Sequence, residues 1–173
     1  EMNNQEGQIG KQGGSPSDLN NKNEKTALPL INRKEVISKS EDQRVRISNK
    51  ELHGSIYLKG AKFDDLTLVN YQKTLEQDSG EVTLLSPSTS SDRYFADFGW
   101  ISSENLVDLP KPETIWQTNN KTLTPTNPVT LSWKNNQNIL FLINIKLDEN
   151  YMFSVSQVVK NSSGQEISLA PYG

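Results

Sequence analysis

The chain has 173 residues, enough for one domain with a tail, and a formal net charge of −3 from 18 Lys and Arg against 21 Asp and Glu. The charges are spread rather than blocked, so the basic stripe of a nucleic-acid binder is absent. With no cysteine and one histidine, His53, the chain has no disulfide, no thiolate metal site and no His-rich metal site.

Residues 1–34 are rich in Asn, Gln, Gly, Ser and Lys, with scarcely an apolar side chain before Ala27. Such a segment buries too little surface to offset its ordering entropy, so it reads as a disordered polar linker. The cluster Ala27-Leu28-Pro29-Leu30-Ile31 is apolar enough to dock on a domain, and Pro29 keeps it out of a helix interior. Glu1 precedes Met2, so the sequence reads as a piece of a longer chain. Its longest aliphatic and aromatic run, Ile139 to Ile143, is far short of the roughly 20 residues of a membrane-spanning helix.

From Val36 onward apolar side chains recur with period two, the mark of half-buried strands. Predicted strands include Val45 and Ile47, Leu52–Leu58, Leu66–Tyr71, Val82–Leu85 and Tyr94–Trp100. Further strands are predicted at Thr114–Trp116, Val129–Trp133, Ile139–Leu147, Tyr151–Val159 and Ile167–Leu169. Polar turn clusters separate them, and residues 101–112 hold one helical turn at most before Pro110 and Pro112. Asn135-Asn136 and Asp148-Glu149-Asn150 are hairpin turns, predicting an antiparallel meander from Val129 to Val159. The fold class is therefore all-β, a sandwich, with residues 35–173 as its domain.

No catalytic, cofactor-binding or metal residue is assigned. His53, beside Gly54 near the start of a strand, has no local nucleophile or orienting acid and reads as structural or surface. Asp64 and Asp65, adjacent in an extended strand, point to opposite faces and cannot share acid/base work, so they read as a turn. Asp148-Glu149-Asn150 lacks the later Gly and Glu of a calcium loop. Gly7–Gly14 lacks the order of a phosphate-cradling loop. Asn120-Lys121-Thr122 and Asn161-Ser162-Ser163 match glycosylation acceptors, a pattern common by chance. Tyr94, Phe95, Phe98, Trp100, Trp116 and Trp133 read mainly as core, with Trp116 the best exposed candidate for a sugar platform.

Several blocks recur in one order: GSIYLKGAKFDDLTL (54–68), VTLLSPS (82–88), YFADFGW (94–100) and ETIW (113–116). LTPTNPVTLSW (123–133), DENYMFSVSQVVKN (148–161) and PYG (171–173) follow. Together, over roughly residues 43–173, they resemble the periplasmic domain of the YidC membrane protein insertase family, in its alphaproteobacterial form. The resemblance implies an antiparallel β-supersandwich of galactose mutarotase-like architecture, incomplete in this chain, after a linker that follows a first membrane helix. It implies a non-catalytic binding and scaffold module on the periplasmic face of the inner membrane. The expected partners are Sec translocon accessory proteins and nascent inner-membrane proteins, with no nucleic acid and no cofactor. The insertase groove belongs to helices outside this chain, so no groove residue carries over. An incomplete sandwich is expected to be marginally stable or to self-associate. The rivals are a carbohydrate-binding or mutarotase-like module, and a chaperone surface.

Overall fold

The computed structural model describes residues 32–173 except 77, 104 and 105. The linker residues before Asn32, including the Ala27–Ile31 cluster and the Gly7–Gly14 stretch, lie outside the described residues, as do two residues of the 101–112 segment. The chain enters through a short helix, α1 (Arg33–Lys39), and a 3-10 turn over Glu41–Gln43. Val36, read above as the start of a period-two pattern, lies in α1 instead. The helix has local causes. Asn32 caps it by accepting from the Lys34 N–H at 2.9 Å, and Lys39 reaches Glu35 one turn back at 2.6 Å. Seven residues are too few to hold a helix alone, so α1 depends on what it docks against.

Everything that follows is strand and turn. In the first half come β1 (Arg44–Ser48), β2 (Leu52–Tyr57), β3 (Lys62–Gln72), β4 (Glu81–Leu85) and β5 (Gly99–Ile101). The second half adds β6 (Gln117–Thr118), β7 (Thr122–Leu123), β8 (Val129–Lys134), β9 (Ile139–Leu147), β10 (Phe153–Asn161) and β11 (Ala170–Tyr172). They form a five-stranded sheet in the order β4-β3-β2-β1-β7, a four-stranded sheet β10-β9-β8-β6 and a β5–β11 ribbon. All pairings are antiparallel except β1 with β7. The all-β sandwich and the β8–β9–β10 meander expected from the sequence are present.

The β9 strand, ILFLINIKL, places Ile139, Phe141, Ile143, Ile145 and Leu147 in the core. Facing side chains come from the first sheet, among them Val45, Ile47, Leu52, Ile56 and Leu66, all in one continuous core. Phe141 is fully buried between Trp100 and Trp133, with ring centroids 5.1 and 5.6 Å away. The turns are built from side chains that replace ladder bonds. Asn135 Oδ1 accepts from the Gln137 and Ile139 N–H groups, and Asp148 Oδ1 from those of Asn150 and Met152. Asp148-Glu149-Asn150 is thus a hairpin turn.

Two devices lock the sheets together. The chain leaves the second sheet at β6 and joins the first at β7, burying Leu123. At the other end the Asn49 amide donates to the carbonyls of Asp148 and Asn150, at 2.9 and 2.8 Å. Beside it the Tyr151 hydroxyl donates to Glu51 at 2.7 Å, and with the Asn70 amide holds that carboxyl below its ordinary range.

Three strand assignments need correction. In YFADFGW only Gly99 and Trp100 enter β5; Tyr94 and Ala96 make isolated bridges to Ser86 and Phe63. Thr114–Trp116 contributes a single bridge, Ile115 to Lys59, and pairing starts at Gln117. The last strand is Ala170–Tyr172 rather than Ile167–Leu169. In each case the apolar residues serve as wedges under the sandwich while the backbone bonds elsewhere. Phe141→Ala is expected to destabilise the fold by about 3–5 kcal/mol, read as a lower midpoint in urea. A change below about 1 kcal/mol would mean that the core closes over the gap.

Candidate functional site

The outer face of the five-stranded sheet carries a buried polar cluster beneath α1. It starts with a bulge. Ser55 pairs with Asp65, but the next residue, Ile56, pairs with Phe63, so Asp64 is an extra residue in β3. This corrects the expectation that Asp64 and Asp65 form a turn and face opposite ways. They lie inside a strand, both buried, and the bulge lets both carboxylates converge on Ser55. Gly54 makes the close approach possible, because a Cβ there would sit 2.0 Å from the Asp65 carbonyl oxygen.

Each carboxylate has its own guanidinium. Arg44 donates from Nη1 and Nη2 to the two oxygens of Asp64 at 2.7 and 3.2 Å, with both side chains almost fully buried. Its Nη1 also reaches Ser55 Oγ at 3.2 Å, and its Nε reaches Ser40 Oγ at 2.8 Å, which ties the helix to the sheet. The Tyr57 ring lies 4.8 Å from the guanidinium carbon. Ser55 in turn donates to Asp65 at 2.6 Å. Asp65 pairs with Nη2 of Arg33, which also donates to Thr67 at 3.1 Å. Burial pushes the Asp64 carboxyl above its ordinary value, and Arg44 offsets part of that rise. Both oxygens of Asp64 are committed to Arg44, so the cluster holds charge in place rather than moving protons.

An open groove of about 930 Å³ borders the cluster, with Arg33, Ile37, Arg46 and Lys121 in its walls. A second, of about 860 Å³, runs past Glu81, Ser90 and Tyr94. Arg33, Lys34, His53 and Thr67 line both. His53 sits on this face with Nε2 2.5 Å from Glu81, and both side chains are half exposed.

The aromatic residues divide. Trp116, read above as the best exposed sugar platform, is 2 % exposed and stacked on Trp100 at 6.4 Å. Its polar neighbours Gln117 and Thr118 belong to an edge strand, while its own ring turns inward, which removes the platform. Tyr94 is 72 % exposed and Phe95 38 %, so neither fills the core as expected. The amides of Asn120 and Asn161 are engaged in local hydrogen bonds, to Asn127 and Pro128 and to Gln165. Among the described residues no three His, Asp or Glu converge on a metal position, and no helix is long and apolar enough to cross a membrane. The Arg44 pairing and the bulge escaped the sequence reading, although one signal existed: Phe63, Leu66 and Leu68 are spaced by three and then two, a slip in the strand period.

Two outcomes test this geometry. Gly54→Ala is expected to destabilise by about 1–3 kcal/mol, because the obstacle is backbone that cannot rotate away. Arg44→Met is expected to cost about 3–5 kcal/mol at neutral pH by leaving Asp64 buried and unpaired. A carboxyl raised above 3.8 in the folded chain keeps its proton to higher pH than in the unfolded chain, so its ionisation removes stability as pH rises through that interval. The Arg44→Met deficit should therefore shrink as pH falls through the interval, in urea titrations of both proteins. A pH-independent deficit would remove Asp64 as its cause.

A family model for the YidC periplasmic domain matches residues 44–173. The chain is 44 % identical to the membrane protein insertase YidC of Rickettsia bellii over 147 residues, which are 85 % of this chain and 26 % of that protein. It is 44 % identical to the YidC of Rickettsia canadensis over 131 residues, 76 % of this chain and 23 % of that protein. The YidC of Rickettsia rickettsii is 41 % identical over 138 residues, 80 % and 25 %. The chain thus spans about a quarter of the length of these relatives. With three quarters of its length under the family model, in the order of blocks that the sequence already displays, this chain belongs to the YidC periplasmic domain family, in its alphaproteobacterial form.

Proposed function

We propose that this chain is a non-catalytic binding and scaffold portion of a membrane protein insertase, on the periplasmic face of the bacterial inner membrane. In this role it helps inner-membrane proteins to insert, fold and assemble, alone or with the Sec translocon and its accessory proteins. The observation that carries the reading is the family match over residues 44–173. The chemistry of the polar cluster agrees with it, since carboxylates locked into ion pairs suit a rigid scaffold better than proton transfer.

The sheet order supplies a surface for clients. The β10 strand closes one side of the second sheet and pairs only with β9, over all nine of its residues. Among the described residues its outer rim makes no backbone hydrogen bond to another strand. Phe153, Val155 and Val159 anchor it to the core, while Ser154, Ser156 and Lys160 are exposed. Such a rim accepts an extended segment through main-chain bonds and tolerates varied side chains, which suits clients of unrelated sequence.

A photo-crosslinking residue at Ser156, in the full-length parent protein, is expected to capture a nascent inner-membrane protein. The same residue at exposed Asp92, on the first sheet, should not. Equal yields at both positions, or none at Ser156, would sink the β10 reading.

A further inference from the structure

We infer that Asp65, Ser55 and Thr67 form a binding site for an arginine side chain presented by a peptide partner, and that Arg33 of the chain's own α1 occupies it. The site stands on this chain's residues and does not depend on the scaffold role or on the β10 rim. Asp65 is the acceptor. One of its oxygens takes the Ser55 hydroxyl at 2.6 Å and the other faces Arg33. Thr67 adds a second acceptor two residues along the same face. Arg44 is already committed to Asp64, and among the described residues Asp65 has no cation partner besides Arg33. When Arg33 leaves, one carboxylate on this face loses its counter-charge.

Arg33 fits the site incompletely. Its two hydrogen bonds both come from Nη2, while its Nε is buried with no partner at all. A guanidinium binds carboxylate best with two parallel N–H groups, a geometry that Arg33 does not reach from its position in the first turn of α1. The helix carrying it has no fully buried side chain and only seven residues, so the docked state is weakly held. The two grooves meet at Arg33, Lys34, His53 and Thr67, which leaves open approaches on both sides of the site. An arginine entering along either groove can present its fork squarely to Asp65 and gain further contacts for its flanking backbone. Lysine, with a point charge, cannot pair in this way.

Arg33 has the advantage of a tether, which supplies an effective concentration on the order of millimolar. The unsubstituted chain should therefore bind a short arginine peptide weakly, and freeing the site should strengthen binding. The test uses a labelled peptide with one central arginine between glycine and serine residues, titrated into the whole chain and into Arg33→Ala, followed by fluorescence anisotropy and by the amide shifts of Ser55, Asp65 and Thr67. The expected result is about a tenfold tighter complex with Arg33→Ala, equivalent to one charge-assisted bond. That gain should vanish in Arg33→Ala/Asp65→Asn and be smaller for the same peptide carrying lysine. No gain with Arg33→Ala, or a gain that survives Asp65→Asn, overturns the site. If Arg33→Ala does not fold, Arg33→Lys keeps the charge and gives up the fork. It should still bind the peptide more tightly than the unsubstituted chain in an Asp65-dependent way, and failure to do so overturns the proposal equally.

Discussion

Burial of two adjacent carboxylates is the constraint on which the first sheet depends. An ionised carboxylate taken out of water costs several kcal/mol unless a cation and hydrogen bonds meet it, so Asp64 fixes where Arg44 must lie. That requirement propagates. Arg44 must sit in β1 opposite Tyr57, β2 must offer Ser55, and β3 must bulge so that Asp65 reaches the same hydroxyl. The bulge in turn demands the missing side chain at Gly54. Apolar alternation alone would not specify this arrangement. A slip of two residues between β2 and β3 keeps the same side chains facing the core, because the side-chain period is two. It would also leave Asp64 and Asp65 buried without partners. The polar cluster therefore removes a degeneracy that the hydrophobic pattern leaves open.

The second sheet solves the same problem with different means. Its β8–β9–β10 meander contains no buried ion pair. Register there is set at the turns, where Asn135 and Asp148 each accept two backbone N–H bonds and fix the residue count of their loops. Large side chains on β9 then fill the space between sheets, with Phe141 against Trp100 and Trp133. The two solutions meet through β7 at one end and through Asn49 and the Tyr151–Glu51 hydrogen bond at the other. Because Glu51 is exposed, that second clasp is an orienting contact and not a source of much stability.

This contrast explains what was legible in the sequence. The β8 and β9 strands each have one wet and one dry face, so Val129–Trp133 and Ile139–Leu147 alternate cleanly and were read with their turns. The β2 and β3 strands were also read, but the bulge was not, because Asp64-Asp65 looks like turn chemistry when only composition is weighed. The phase slip from Phe63 to Leu66 carries the missing information. The helix left a similar trace, an Asn32 cap followed by Glu35 and Lys39 at helical spacing. Trp116 could not have been placed from its neighbours. Its burial follows from stacking on Trp100, a residue sixteen positions away whose own strand pairs with β11. Long-range packing of that kind has no local signature, and the same holds for Tyr94 and Phe95, which share an aromatic run with Trp100 but not its surroundings.

Placement of the two recognition surfaces follows from the same division. The face of the first sheet beneath α1 is lined with charges whose partners are fixed, so it discriminates: a ligand must replace a guanidinium or leave a carboxylate unpaired. The rim of β10 presents backbone groups common to every sequence, so it discriminates little and suits a client defined by extension rather than composition. A module that meets many unfolded chains gains from keeping these properties apart. A charge-selective face next to the rim would impose its preference on every client that paired there. With the polar cluster on the outer face of one sheet and the open rim on the other, an arginine-dependent contact and a sequence-tolerant one can be made without either setting the terms for the other.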